Sequence, residues 1–255
     1  MKNLALQKLR GGGIASGPML NLSSADLTEH IFHLGFDFAV LDWQHGEWTE
    51  HTVTATLPRL RHTATVPMVR VPRLDAATIN RVLDMGAMGV VVPMIETAEE
   101  AAAAVKAAMY VPKGNRSGGG SRLGWMAGGT ADDYFAQANE QMLVAVMVES
   151  QQAVAHSEQI MSVPGVAAVI IGPGDLMLDL ASRGLGQDAH DECARQLVEA
   201  SRKTGVPAGF VCTTAPEGER RVAEGFRFLW CGNDRKATME SLGPIAAAAQ
   251  GWKPV

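Results

Sequence analysis

Residues 142–179 read MLVAVMVESQQAVAHSEQIMSVPGVAAVIIGPGDLMLD. The stretch is apolar from Met142 to Val148 and ends abruptly in Glu149; a second run, PGVAAVII, stops at Gly172-Pro173-Gly174-Asp175. Uninterrupted apolar runs bounded by turn residues are the pattern of parallel strands buried on both faces. The segment between them has about the length of one crossover helix, so the whole predicts a strand–helix–strand unit. Glu149 and Asp175 then fall at the carboxyl ends of two neighbouring parallel strands. Barrels and open α/β sheets alike place their chemistry there.

Outward from this unit, apolar runs alternate with helical patterns along the chain. Strands are expected at Gly13–Leu20, Asp37–Asp42, Val66–Val71 and Gly89–Pro93, with helices over Ser24–Leu34, Glu50–Arg61, Asp75–Met85 and Thr97–Met109. After the central unit come a helix His190–Thr204, strand Val206–Val211, helix Pro216–Glu224, strand Phe226–Trp230 and a last helix Lys236–Ala249. Eight strands, each followed by helix, predict an α/β fold of the (β/α)8 TIM-barrel type, one domain over residues 1–255. The alternation breaks at the Gly-rich stretch 111–130, before a short helix Ala131–Glu140. An insert of that length is expected to be an active-site loop or a disordered one; Arg116 and Arg122 can meet an anionic substrate at its rim, and loop flexibility alone is the preferred account.

The bulk composition narrows the function. A 255-residue chain that is 47% hydrophobic can build one large core, and its net charge of −5 offers no basic footprint for nucleic acid. No apolar run reaches the roughly 18 residues of a membrane span. The opening MKNLALQKLRGGG lacks a signal-peptide core and predicts a short polar helix. Cys193, Cys212 and Cys231 are scattered and odd in number, as reduced thiols in the cytoplasm are.

The expected carboxyl ends of the strands carry Asn21, Asp42 with His45, Arg70, Glu96, Glu149, Gly172 to Asp175, Cys212, and Asn233 with Asp234. Glu149 and Asp175 form a hard oxygen pair suited to Mg²⁺ or Mn²⁺, with Co²⁺ a further candidate. The alternative is that each caps a strand and accepts backbone amides of the next helix. Two adjacent buried carboxylates repel unless a cation or a proton lies between them, which favours the metal. Arg70 must pair with a structural carboxylate or with an anionic substrate. Asp42, three positions before His45, can orient its imidazole and make it a base near neutral pH. His30, His33, His51, His62, His156 and His190 fall in helical stretches and read as surface. The last helix, with Ile245 to Ala249 as a small apolar face, can pack on a neighbouring subunit.

These residues together carry a resemblance over nearly the full chain. Its marks are Gly35-Phe36-Asp37 leading to Asp42-x-x-His45; Val69-Arg70-Val71-Pro72; Asp84-Met85-Gly86-Ala87 with Gly89 to Pro93; Tyr110 to Arg116; Val148-Glu149; and Ile171 to Leu176. The chain resembles the class II, metal-dependent 2-oxoacid (pyruvate) aldolases of the HpcH/HpaI aldolase and citrate lyase β-like type. That resemblance implies that Glu149 and Asp175 bind the divalent metal and that Arg70 holds the keto or enolate oxygen. It implies that amides near Gly174 and Asp175 bind the substrate carboxylate, and that His45, oriented by Asp42, moves a proton. It further implies a 2-oxoacid and an aldehyde as small-molecule partners, and a last helix exchanged between subunits of a homo-oligomer, commonly a hexamer as a trimer of dimers. The chain departs from the family pattern at Gln44, Gly46 to Trp48, Met147 (where the family has Gln), Gly174, Met177 and the charged segment Cys231–Lys236. Those departures keep two alternatives open: another enolate reaction, such as oxaloacetate decarboxylation or a citrate-synthase-like condensation, and a non-catalytic 2-oxoacid-binding barrel.

Overall fold

The apolar runs become strands β1 (Ala15–Leu20), β2 (Phe38–Asp42), β3 (Val66–Arg70), β4 (Gly89–Val92), β5 (Leu143–Val148), β6 (Val166–Ile171), β7 (Ala208–Cys212) and β8 (Phe228–Asn233). Each pairs in parallel with the next, and β8 pairs with β1, so the sheet closes as a (β/α)8 barrel. The structure, a computed structural model, describes residues 2–60 and 62–252. The expected helix end at Arg61 lies outside them, as do Met1 and residues 253–255.

Closure sorts each apolar run into two rows, because successive side chains of a strand point to opposite faces. Phe38 and Val40, Val66 and Met68, Leu143, Ala145 and Met147, Ala168 and Ile170, and Phe228 and Trp230 share the cluster inside the barrel. Ala39, Leu41, Val69, Val144, Val146, Val148, Val169, Ile171 and Leu229 pack outward against the helices. Both rows are apolar, so the strands lack the alternation that would have shown which row faces in.

The amino-terminal helix, Leu4–Arg10, is more than the polar helix expected. Its Ala5, Leu6 and Leu9 join the inner cluster and close the amino end of the barrel. Asn3 holds it there: its Oδ1 accepts the Leu6 N–H, and its Nδ2 donates to the carbonyls of Met88 and Gln141.

Several boundaries move for local reasons. The crossover after β5 is two short helices, Gln151–Ala155 and Ser157–Met161. The helix Glu50–Thr56 tightens into a 3₁₀ turn, Leu57–Leu60, that contains Pro58. β8 extends to Asn233, whose side chain caps the following helix Asp234–Ala249 by accepting the Lys236 N–H. In that helix only Asp234 is buried, and Met239, Leu242 and Ile245 are 67%, 58% and 57% exposed. No helix among the described residues is long and apolar enough to cross a membrane.

The Gly-rich stretch joins a helix to β5, so it lies at the amino end of the barrel, away from the strand ends expected to react. Arg116 is buried there: its Nη2 donates to Asp84 at 2.6 Å, its Nη1 to the Tyr134 hydroxyl, and it lies over the Tyr110 ring. Arg122 reaches the Thr54 carbonyl. Both cations clamp the loop, and neither is a rim cation for substrate.

His190 also differs from its surface expectation. It is 4% exposed in the helix Gln187–Thr204, edge-on to Phe210. Burial foremost, and the nearby Arg221 charge, lower its pKa from the usual 6.5. The unfolded chain therefore takes up a proton near pH 6.5 that the folded chain refuses, and stability falls as the pH drops below that value. The expected loss has a slope of up to about 1.4 kcal/mol per pH unit. Urea unfolding at a series of pH values should show His190→Leu flatter than wild type below pH 6.5; parallel curves would exclude this origin.

Candidate active site

Following the inner rows to the last residues of β2 and β3, and one residue past β5, brings Asp42, Arg70 and Glu149 to the carboxyl-terminal mouth of the barrel. They are 0%, 6% and 3% exposed. Asp42 and Arg70 are register partners on adjacent strands. The guanidinium grips the carboxylate with two parallel bonds, Nε to Oδ1 and Nη2 to Oδ2, both 2.7 Å. Asn21 Nδ2 donates to Oδ2 at 2.8 Å, and the backbone amides of Gln44 and His45 donate to Oδ1. Asp42 thus orients Arg70, not the His45 imidazole, and the expected carboxylate–imidazole pair is replaced by this buried ion pair. The His45 ring is exposed at the mouth.

The polar support continues outward. Asn21 Oδ1 accepts from Asn233 Nδ2, and the Asp234 carboxylate accepts the amides of Asn21 and Leu22. This chain ties β1, β2, β3 and β8 together around one guanidinium. Arg70 Nη1 is left with only the Met147 sulfur at 3.8 Å, and the Trp230 ring lies 5.6 Å from the guanidinium carbon. A thioether is a weak acceptor, so Nη1 is the donor available to a substrate oxygen. Met147, which stands where the resemblance placed a Gln, is therefore a soft contact of that donor. Trp48, another departure, is structural: it is 3% exposed and its indole N–H donates to the Leu20 carbonyl at 2.8 Å.

Across the mouth, Glu149 Oε2 accepts the Met94 N–H at 2.7 Å. Met94 has φ 55°, the only non-glycine residue at positive φ among the described residues. Such a backbone is held against its preference by its surroundings, commonly at sites of function. Nothing in the Met94 side chain announces this role, so the sequence carried no signal for it. Gly172 makes the other wall: a Cβ there would sit 2.3 Å from Glu149 Oε1. Burial above all raises the Glu149 pKa, with the Asp175 and Glu96 charges adding to it; the Met94 amide and Arg70 oppose.

Asp175 lies in the first turn of the helix Pro173–Ser182, partly buried, and Gly174 beside it is exposed with open space on its side-chain side. The residues fit a divalent cation. Glu149 is a buried carboxylate with a second one near enough to oppose its charge, and position 172 is kept bare in front of one of its oxygens. No group of three or more His, Cys, Asp or Glu converges on one point among the described residues. Water or substrate oxygens would complete the shell of a hard cation.

A cavity of about 470 Å³ opens beside Arg70. Asp42, His45, Thr213, Arg235 and Lys236 line it, and Glu149 and Asp175 do not. The mouth thus has two halves, with Arg70 between them. Cys212, expected at the reactive face, borders this cavity at the end of β7, with its side chain packed in the outer layer between barrel and helices.

Comparison with known proteins places the chain in a family. The family described as HpcH/HpaI aldolase/citrate lyase matches residues 16–241. A 5-keto-4-deoxy-D-glucarate aldolase of Klebsiella pneumoniae is 36% identical over 226 residues, covering 88% of this chain and 84% of its own. A hydroxypyruvate/pyruvate aldolase of Chromohalobacter salexigens is 34% identical, covering 82% and 84%. Among solved structures, an HpcH/HpaI aldolase from Desulfitobacterium hafniense superposes with a TM-score of 0.87 at 27% identity, covering 97% of this chain and 96% of that one.

Proposed function

The chain belongs to the HpcH/HpaI aldolase/citrate lyase family, and from that premise we propose a divalent-metal-dependent 2-oxoacid aldolase that works on pyruvate, or a close relative, and an aldehyde. It is an aldolase, a carbon–carbon lyase. The observation that carries the 2-oxoacid reading is the Arg70 guanidinium, locked by Asp42 and with Nη1 unspent, facing the mouth it shares with Glu149 and Asp175.

In cleavage, the bond between C3 and C4 of a 4-hydroxy-2-oxoacid breaks. The C4 hydroxyl oxygen loses its proton and becomes the aldehyde carbonyl, while the C3–C4 bonding pair forms a C2=C3 double bond and leaves an enolate oxygen on C2. Arg70 Nη1 donates to that oxygen as its charge grows, a contact stronger in the transition state than before it. First-turn amides near Gly174 and Asp175 receive the carboxylate, at the positive end of the helix Pro173–Ser182. His45, exposed at the mouth, carries the hydroxyl proton away. Glu149 and Asp175 would hold a divalent cation, Mg²⁺ or Mn²⁺ with Co²⁺ a third candidate, and that group would supply positive charge for the 2-oxoacid oxygens.

Two assays test the reading. Pyruvate should exchange its methyl protons with D₂O in the presence of protein and Mg²⁺ or Mn²⁺, and 4-hydroxy-2-oxoacids should release pyruvate. No exchange and no release with any of the three metals would refute it.

We further propose a homo-oligomer, a hexamer built from dimers, assembled through the helix Asp234–Ala249. Exposure of Met239, Leu242 and Ile245 along one helix leaves apolar surface for a second copy to cover. Sedimentation should give an oligomer for wild type and smaller species for the Leu242→Glu/Ile245→Glu double variant; a monomeric wild type excludes it. Three free cysteines agree with a cytoplasmic location, which cell fractionation would check.

A further inference from the structure

The polar chain behind Arg70 has a direction, and that direction is set at the last helix. Asn233 caps the helix Asp234–Ala249, and its Oδ1 is committed to the Lys236 N–H at 2.9 Å. A backbone N–H can only donate, so the end of the Asn233 amide left for Asn21 is Nδ2. It donates to Asn21 Oδ1. Asn21 is 2% exposed and must then turn its own Nδ2 the other way, onto Asp42 Oδ2 at 2.8 Å. Asp42 in turn grips Arg70 Nε and Nη2. The two ends of this relay, a backbone N–H and a carboxylate, admit one orientation of each amide between them. β8 is shaped to deliver Asn233 to it. Trp230 faces into the barrel and Cys231 packs outward, so strict alternation would send Gly232 inward and Asn233 outward. The β1–β8 pairing instead passes from Gly17↔Trp230 to Met19↔Asn233, so two steps along β1 match three along β8. Gly232, at φ 93°, lies in this bulge, and such a bulge re-aims the side chain that follows. Asn233 thereby lines the mouth with Met19, Asn21 and Arg70.

We infer that Asn233 is a positioning residue for Arg70: it dictates which way the Asn21 amide points, and so keeps a donor on the Asp42 carboxylate that holds the guanidinium. This rests on the aldolase reading, in which Arg70 Nη1 meets the enolate oxygen. A side chain at position 233 that offered only oxygens would leave Asn21 without a good orientation. Keeping Nδ2 on Asp42 sets Asn21 Oδ1 against the new oxygens, and turning the amide over sets Oδ1 against Asp42. Either way two acceptors face one another in a buried setting, a worse outcome than losing the bond altogether. The segment at residues 231–236, a departure from the family pattern, thereby acquires a part in the reaction through its one neutral amide.

Two substitutions separate this role from helix capping. Asn233→Asp keeps a good N-cap but cannot donate, whereas Asn233→Ala loses the cap and leaves Asn21 Oδ1 open to water. The relay predicts kcat falling in the order wild type, Asn233→Ala, Asn233→Asp, with the Asn233→Asp loss about 10–100-fold and KM for pyruvate changed less. Capping alone predicts the opposite order for the two variants, with Asn233→Asp close to wild type, and that result overturns the inference. An Asn21→Ala background controls for the added negative charge. With the relay already cut there, Asn233→Asp should cost at most about twofold more in kcat. An undiminished loss in that background assigns the effect to charge and also overturns the inference. Urea unfolding of the same four proteins needs no turnover, and the Asn21→Ala and Asn233→Asp effects should be non-additive there too. Non-additivity in urea with no pyruvate proton exchange in wild type would remove the aldolase reading and keep the relay. Exchange in wild type together with additive effects would do the reverse.

Discussion

Glu149→Ala and Asp175→Ala should each lower retro-aldol turnover by about 10³-fold or more, and a chelator should do the same to wild type. Fresh Mg²⁺ or Mn²⁺ should rescue the chelated protein and neither variant. The physical reason is that the two carboxylates are useful only as a pair. Apart from the Met94 amide and the Arg70 charge, Glu149 sits in a setting that opposes its charge: it is buried, and Asp175 and Glu96 add negative potential. Without a cation this arrangement costs stability, so Glu149→Gln should raise the melting temperature of the metal-free protein by a few degrees while removing activity. A stability gain with lost turnover is what a cation site requires, whereas a strand-capping role for Glu149 would give a loss of both. Calorimetry in chelator, alongside a pyruvate-release assay, separates the two outcomes. Turnover that survives both alanine variants would exclude the metal site.

Arg70 carries the second large effect. Arg70→Lys keeps a positive charge but loses the fork that grips Asp42 and presents Nη1, and it should reduce kcat by about 10²–10³-fold, the scale for one transition-state donor. KM should change less, because the contact strengthens as charge develops on the enolate oxygen. Asp42→Ala should instead act on the fold. It leaves a guanidinium that is 6% exposed without its carboxylate, and breaking a buried pair in this way typically costs about 3–5 kcal/mol. Urea unfolding reads that loss directly. Asp42→Ala with wild-type stability and a shifted pH–rate profile would return Asp42 to the role of His45 orienter. Asp42→Asn, which keeps one acceptor oxygen for Arg70, should fall between the two.

These predictions rest on contacts of unequal legibility. The pairing of Asp42 with Arg70 is a register relation between β2 and β3. Along the chain the two are 28 residues apart, and His45 is three away, so local spacing favoured the histidine. Met94 reaches Glu149 through its backbone in a left-handed turn, and a methionine side chain is silent about that. Arg116 lies in the long connection between the helix after β4 and β5, and in a barrel helix-to-strand connections lie at the amino end, away from the mouth. His190 looked like surface because its neighbours Asp188, Asp191 and Glu192 are charged, yet a helix resting on the barrel buries one stripe whatever the other carries.

Local pattern alone determined the eight strands, the crossover helices, the barrel they imply, and the confinement of Glu149, Asp175 and Arg70 to strand ends. Apolar runs and turn residues encode these directly, since burial on both faces and chain reversal are short-range demands. Only closure of the barrel decided which row of each run faces inward, which carboxylate holds the guanidinium, and which cations face solvent over the mouth. Those outcomes depend on distances between strands far apart in the chain, where the cost of leaving a buried charge unpaired outweighs any preference set by neighbours in sequence.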